Sequence, residues 1–180
     1  VANTVLIAAC SLGIFTSYRF ITSSIHFNIN KVDWFGHQRL SKEDLISWTG
    51  PIIGKNIFQL DLNKVSQKLA EHPWVETALA RRVFPQGLYI ELKERTPFAR
   101  VQLDQAYVMD NYGILLEPGE KEFSELPLIT GISAKNPTLG INVANEEIIH
   151  GLKMMYNINL LPIFDKNPID TVHIKNRWRV

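Results

Sequence analysis

One cysteine, Cys10, stands in 180 residues. That excludes an internal disulfide and any zinc or iron–sulfur site built on several thiolates, and it leaves the redox compartment open. Excess charge of one sign is also missing. Lys+Arg 19 against Asp+Glu 18 gives a net charge of +1, too little to drive binding to nucleic acid through its phosphates. Ten Gly and nine Pro are near average usage, which excludes collagen-like and low-complexity chains. No internal repeat is present.

Catalytic patterns are equally scarce. There is no Gly-x-Ser-x-Gly nucleophile turn and no His-Glu-x-x-His zinc helix. The five histidines, His26, His37, His72, His150 and His173, are scattered along the chain. Glu147-x-x-His150 has the spacing of a di-iron helix, but a single copy without partner carboxylate helices reads as a solvated helix face. Gly50-x-x-x-Gly54-Lys55-Asn56 is one residue too short for a phosphate loop and lacks the Ser/Thr that would hold Mg²⁺. Cys10 lies in apolar sequence, where a thiolate is costly. The expectation is a protein without catalytic residues, metal or cofactor.

Charge is absent from Val1 to Tyr18, and every Asp, Glu, Lys and Arg lies at Arg19 or later. Crossing hydrocarbon takes about 20 mostly apolar residues, a length this segment reaches by extending through Phe20 and Ile21. A transmembrane helix, a secretory signal peptide and the buried helix of a soluble protein are the three readings. Length and charge exclusion favour the first; a signal peptide would have a shorter apolar core and a small-x-small cleavage site. Arg19 and Lys31 flank only the downstream side, so charge bias leaves the orientation open. The chain begins at Val1 without an initiator Met and stops within a strand-like run, so both ends are read as truncated.

After this segment the chain alternates between two periods, and 46% hydrophobic content supports a packed core. Phe27 to Phe35 reads as a strand with a slip at Asn30-Lys31, and Gly36-His37 as its turn. Ser41 with Asp44 forms a capping-box-like start to a helix that turns Leu45, Trp48 and Thr49 inward and ends at Gly50-Pro51. Asp61 caps a second helix with Leu62, Val65 and Leu69 on one face, stopped by His72-Pro73. Val75 to Phe84 is a strand of ambiguous inward face. Pro85-Gln86-Gly87 turns the chain into a strand with Leu88, Ile90 and Leu92 on one side. The order is β-α-α-β-β. Beyond Pro97, short strands are predicted at Phe98–Leu103, Ala106–Met109, Ile114–Leu116 and Leu126–Gly131, with a surface loop at Glu117–Glu125. A helix capped by Asn145 runs to about Asn159 (Ile148, Ile149, Leu152, Met155, Tyr156), and Ile169 to Val180 reads as a last strand.

These residues carry a resemblance. His72-Pro73-Trp74-Val75, Arg81-x-x-Phe84-Pro85, Leu88-x-Ile90-x-Leu92 and Glu94-Arg95-x-Pro97-x-Ala99 resemble the FtsQ/DivIB family of bacterial cell-division proteins. So do Val32-x-Trp34-x-Gly36, Asn56-x-Phe58-x-Leu60-Asp61, and Met109-Asp110-x-x-Gly113 with Leu126-Pro127-x-Ile129-x-Gly131. His37 stands where Asn is common and Phe84 where Trp is common. The resemblance implies an α+β chain: a transmembrane helix at 1–25, a POTRA domain at 26–96 and a mainly β domain with one helix at 97–180, truncated at the C-terminus. It also places the bulk of the chain outside the cytoplasmic membrane at the division septum. The function it implies is a non-catalytic scaffold joining FtsL and FtsB. The alternative is a POTRA-bearing adaptor or chaperone in protein transport at the envelope.

Function then rests on surfaces. Period two sets Lys175, Arg177 and Arg179 on one face of the last strand, as edge protection or as a docking edge for an added partner strand. The resemblance favours docking, because the family's FtsB contact lies on the terminal strands of the β domain. Asn63, Lys64, Gln67 and Lys68 form the polar side of the second helix, a solvated face or a second partner surface. Pro73, Trp74, Arg81, Pro85, Glu94, Arg95 and Pro97 are the motif positions, expected to brace the fold, with Trp74 in the core.

Overall fold

The computed structural model describes residues 2–119, 122–131, 134, 136–143, 145–159, 161 and 170–174. The chain divides into two compact units, Val1–Ala70 with Val75–Glu94, and Glu71–Trp74 with Arg95–Val180.

The first unit opens with helix α1 (Ala2–Ser23). Its Val5, Leu6, Ile7, Leu12, Ile14, Phe15, Tyr18 and Phe20 side chains are all exposed. Among the described residues no protein surface covers these apolar side chains, which argues against the buried-helix reading. The hydroxyls of Ser11, Thr16, Thr22 and Ser23 donate back to the carbonyls of Ile7, Leu12, Tyr18 and Arg19 at 2.6–2.9 Å. Such internal bonding is how polar side chains become tolerable away from water. A short 3₁₀ turn follows at Ile25–Phe27, capped by Ser24.

Strand β1 (Lys31–Phe35) is therefore shorter than the expected Phe27–Phe35. Ahead of it, Ile29 and Asn30 bond to Lys55 and Gln86, and Asn28 makes only an isolated bridge to Asn56. Helices α2 (Lys42–Thr49) and α3 (Leu62–Ala70) come next, then β2 (Val75–Val83) and β3 (Gly87–Glu94). The predicted β-α-α-β-β order stands. The sheet order is β1-β3-β2, with β3 parallel to β1 and antiparallel to β2. Leu88, Ile90 and Leu92 of the central strand are buried with Trp34, Val65, Leu69 and Leu45. Each such side chain contributes about 1.5–3 kcal/mol by leaving water. The ambiguous inward face of β2 has a physical cause. A register shift between Val75 and Thr77 changes the phase of alternation, so that Val75 and Ala80 both point inward.

Local chemistry fixes the turns. Ser41 Oγ accepts from the Asp44 amide at 3.1 Å while Asp44 Oδ2 accepts from the Ser41 amide, closing the capping box. Gly36 sits at φ +80°, and a Cβ there would lie 1.9 Å from the Leu92 carbonyl oxygen. Only glycine fits. Trp48 departs from its expected inward place: it lies at the rim, its indole N–H donating to the Lys68 carbonyl at 2.6 Å.

The second unit holds a five-stranded sheet of order β6-β5-β4-β7-β8. Its strands are β4 (Pro97–Gln102), β5 (Ala106–Asp110), β6 (Leu115–Pro118), β7 (Leu128–Thr130) and β8 (Thr171–His173). β4, β5 and β6 pair antiparallel; β4, β7 and β8 pair parallel. Helix α4 (Glu146–Asn159) starts at Asn145, whose Oδ1 accepts from the Ile148 amide at 2.9 Å. Ile148, Leu152 and Met155 pack with Ala99, Val101, Tyr107, Met109, Leu115 and Ile129. Ile149 and Tyr156 of the same helix are exposed.

Every residue of β5 is buried. Its second face lies against the segment read as a surface loop: a Cβ on Gly119 would meet Val108 at 2.5 Å. Arg100 secures that segment by donating to the carbonyls of Leu126 and Ser124 at 2.9 and 3.0 Å. Of the predicted last strand, β8 is described, while Ile169 and residues 175–180 lie outside the described residues.

Candidate functional site

No catalytic constellation forms among the described residues, where no group of three or more His, Cys, Asp or Glu could hold a metal ion. Three of the five histidines serve local bonds. His37 Nδ1 meets the Leu40 carbonyl at 3.0 Å, His72 Nδ1 accepts from the Trp74 amide, and His173 Nδ1 meets Thr130 Oγ1 at 2.9 Å. Gly50 ends α2 at φ +75°, and the Gly54 amide donates to the Ile29 carbonyl at 2.8 Å. These glycines shape turns. What the chain offers is a set of braced junctions and surfaces.

The first junction lies where α1 meets the sheet unit. The last carbonyls of a helix lack intrahelical partners, and here remote side-chain amides supply them. Asn56 Nδ2 donates to the carbonyls of Ile21 and Ser24 at 3.1 and 3.3 Å, and Gln59 Nε2 to that of Thr22 at 3.0 Å. Asn56 is itself buried, its Oδ1 accepting from the Phe58 amide. Gln86, next to Pro85, adds Nε2 to the His26 carbonyl and Oε1 to Asn30 Nδ2. The end of α1 is thus held to its own unit by hydrogen bonds as well as by the chain.

The second junction lies where β3 gives way to β4. Glu94, in the first unit, accepts three backbone amides, from Gln38, Arg39 and Leu40, at 2.9–3.0 Å. One carboxylate thereby holds the whole loop after β1. Arg95, in the second unit, donates Nη1 to Asp110 Oδ2 at 2.8 Å. Asp110 is 1% exposed, and its Oδ1 also accepts from the amides of Tyr112 and Ile114, both at 2.9 Å. Arg95 Nε is buried without a partner among the described residues. Pro97 opens β4, in register with Asp110.

The other motif residues fall as follows. Trp74 is buried, its indole N–H 3.1 Å from Glu117 Oε2 and its ring stacked on Phe123 with centroids 6.0 Å apart. Pro73 precedes it in the turn before β2. Arg81 lies on the open face of the β1-β3-β2 sheet, its guanidinium 4.6 Å from the Tyr89 ring and 3.6 Å from Glu91. Of the candidate partner-binding residues, Asn63, Lys64, Gln67 and Lys68 are exposed on α3. Lys175, Arg177 and Arg179 lie outside the described residues; β8, just before them, ends the sheet order.

Sequence reasoning missed the amides that receive α1, the Arg95–Asp110 pair and the Arg82 guanidinium, which donates to the carbonyls of Ile57 and Leu60. Only Asp110 had a local signal: Asp-Asn-Tyr-Gly marks an Asx-type turn.

Residues 27–95 match the family described as POTRA domain, FtsQ-type. Among curated relatives, the cell division protein FtsQ of Syntrophotalea carbinolica is 29% identical over 161 residues, 89% of this chain and 55% of that protein. FtsQ of a Geobacter species is 25% identical over 93% of this chain and 62% of its own length. The cell division protein DivIB of Clostridium acetobutylicum is 27% identical over 83% and 61%. The chain therefore spans a little over half the length of these relatives. The similarity runs from the POTRA fold into the second unit: residues 27–95 match an FtsQ-type POTRA domain, and most of the chain is similar to the cell division proteins FtsQ and DivIB.

Proposed function

We propose that this chain acts without catalysis, as a single-pass membrane scaffold of the bacterial division apparatus. In this reading 1–25 anchors the chain in the cytoplasmic membrane, and a POTRA domain at 26–96 and a β domain at 97–180 work on the outer side at the septum. The observation that carries it is α1: a 22-residue apolar helix, exposed along its length, joined to an FtsQ-type POTRA fold. Such a surface is unfavourable in water and at home in hydrocarbon. Confinement to one membrane raises the effective concentration of both domains for partners held there.

The partners in this reading are FtsL- and FtsB-like division proteins. The second unit's sheet order supports a docking edge, because β8 is its terminal strand and Lys175, Arg177 and Arg179 follow directly. An added strand would bond along the main chain, with acidic side chains meeting the basic stripe.

Depletion in the native host tests this reading. Cells should stop dividing and grow as filaments, and the full-length protein should restore division and co-purify with FtsL and FtsB. Charge reversal at Lys175, Arg177 and Arg179 should slow FtsB association. Normal division after depletion would sink the proposal.

A further inference from the structure

Three segments meet where α1 ends, and each presents a ring. The chain leaving the helix carries Phe27, the loop between α2 and α3 carries Phe58, and the turn between β2 and β3 carries Phe84. Phe58 meets Phe27 edge-on with centroids 5.2 Å apart, and its centroid is 5.6 Å from that of Phe84. The fold does not seal this cluster. Phe84 remains 62% exposed and Phe58 39%, while Ile25, two residues before Phe27, is 74% exposed. Contiguous apolar surface left open in this way marks contact with another molecule or phase.

Hydrogen bonds fix the height of the cluster against α1. Asn56 Nδ2 donates to the carbonyls of Ile21 and Ser24, and the Ile57 amide to that of Phe27 at 2.8 Å. Gln86 Nε2 donates to the His26 carbonyl at 3.1 Å. Phe58 is two residues from Asn56 and Phe84 two from Gln86, so each lies within about 7 Å of chain from a residue bonded to the segment that leaves the helix. The 22 residues of α1 rise about 1.5 Å each, giving a helix of about 33 Å. The hydrocarbon core of a bilayer is about 30 Å thick, and each headgroup layer adds about 5–7 Å. A span that fills the core therefore leaves the last turn of α1, and the rings tied to it, in the headgroup layer.

We propose that Phe27, Phe58 and Phe84, with Ile25, form a foot that inserts into the lipid interface of the leaflet from which α1 emerges. The foot rests on the reading that α1 spans the membrane. Lipid is the occupant because a bilayer is the apolar phase that reaches this height on every side of α1. Phe side chains seated about 5–10 Å into the headgroup/acyl boundary are a common means of holding a surface element to a membrane. The sheet unit then stands on the membrane at two places, the helix and the foot, and its tilt is fixed by both.

The test uses the full chain, one copy per phosphatidylcholine nanodisc, with 4-fluorophenylalanine placed singly at Phe58, Phe84, Phe35 or Phe15. The fluorine line is broadened in turn by a doxyl-labelled phosphatidylcholine and by a gadolinium chelate confined to water. At Phe58 and Phe84 the lipid label should broaden the line roughly fivefold or more beyond the chelate, as suits rings held at that boundary. Phe35 is the comparison, 49% exposed on the same sheet. It lies four residues along β1 from Lys31, the partner of Gly87, and so about 13 Å from the strand end beside Gln86. The chelate should dominate there. Chelate broadening at Phe58 and Phe84 equal to that at Phe35, or lipid broadening as strong at Phe35 as at Phe84, would overturn the foot. Shielding of Phe58 and Phe84 from both agents would put protein rather than lipid on the rings and overturn the assignment. Phe15, within α1, reports the span separately. Lipid broadening at Phe15 with chelate broadening at Phe58 and Phe84 sinks the foot alone, whereas chelate broadening at Phe15 overturns the spanning reading and the foot with it.

Discussion

Asp110→Asn isolates the charge at the heart of the second unit. The amide keeps an oxygen for the Tyr112 and Ile114 N–H groups that Asp110 Oδ1 now receives. It then turns its NH₂ toward Arg95, whose side chain is 16% exposed with Nε unpartnered among the described residues. Removing one member of a buried pair costs about 3–5 kcal/mol, because the surviving charge remains desolvated. The same change at an exposed pair costs about 0–1 kcal/mol, and Arg81–Glu91, at 59% and 53% exposure, is the internal comparison. The full chain in detergent micelles, unfolded in urea and followed by tryptophan emission, gives the measurement. With a slope of about 1–3 kcal/mol per molar, the cost of about 3–5 kcal/mol means that Asp110→Asn should lower the midpoint by about 1–5 M, while Glu91→Gln leaves it nearly unmoved. A double-mutant cycle with Arg95→Met should give a coupling above about 2 kcal/mol. A midpoint shift for Asp110→Asn no larger than that of Glu91→Gln would show that water reaches the pair and refute the reasoning.

Three further outcomes follow from the junctions. Glu94→Ala leaves three amides without their acceptor, so hydrogen exchange at Gln38, Arg39 and Leu40 should accelerate by tenfold or more, with about 1–3 kcal/mol lost from the first unit. Glu94→Ala with unchanged exchange in this loop would mean that the backbone holds the turn unaided. Gly36→Ala puts a Cβ against the Leu92 carbonyl at a positive φ and should cost at least about 3 kcal/mol, visible as loss of the cooperative thermal transition. Asn56→Ala releases the Ile21 and Ser24 carbonyls and the Phe58 amide. Exchange at Phe58 should rise roughly tenfold or more, and an unaltered rate would count against Asn56 as the joint.

Periodicity made much of this architecture legible. The alternation of Leu88, Ile90 and Leu92 and the helical spacing of Val65 and Leu69 report which face of an element meets apolar atoms, and those residues are buried. It fails where an element is short or phase-shifted. Trp48 sits three residues after Leu45, yet in an eight-residue helix only the Leu45 position is covered, and the indole finishes at the rim. The bulge at Val75 breaks a period that a strand-long count assumes constant. The loop at Glu117–Glu125 looked solvated because its partners, Trp74 and Arg100, lie far off in sequence. The same applies to the junctions. Glu94 meets its amides 54–56 residues away, and Asn56 meets Ile21 35 residues away. Pattern identifies faces; polar partners distant along the chain leave no periodic trace. The sequence names Glu94 and Arg95 as motif positions, but only the folded chain shows what they meet: three amides for the carboxylate and Asp110 for the guanidinium.

Ser11 and Thr16 have already given their hydroxyl protons to their own backbone. In oil, where every helix amide of a neighbour is likewise committed, such hydroxyls have nothing left to donate sideways. At these two positions α1 has no proton to offer a neighbouring helix, while each hydroxyl oxygen keeps a lone pair that can accept one. In the spanning reading proposed above, a partner helix would address Ser11 and Thr16 by giving a proton and never by receiving one, a one-way grammar that excludes a neighbour offering only acceptors there.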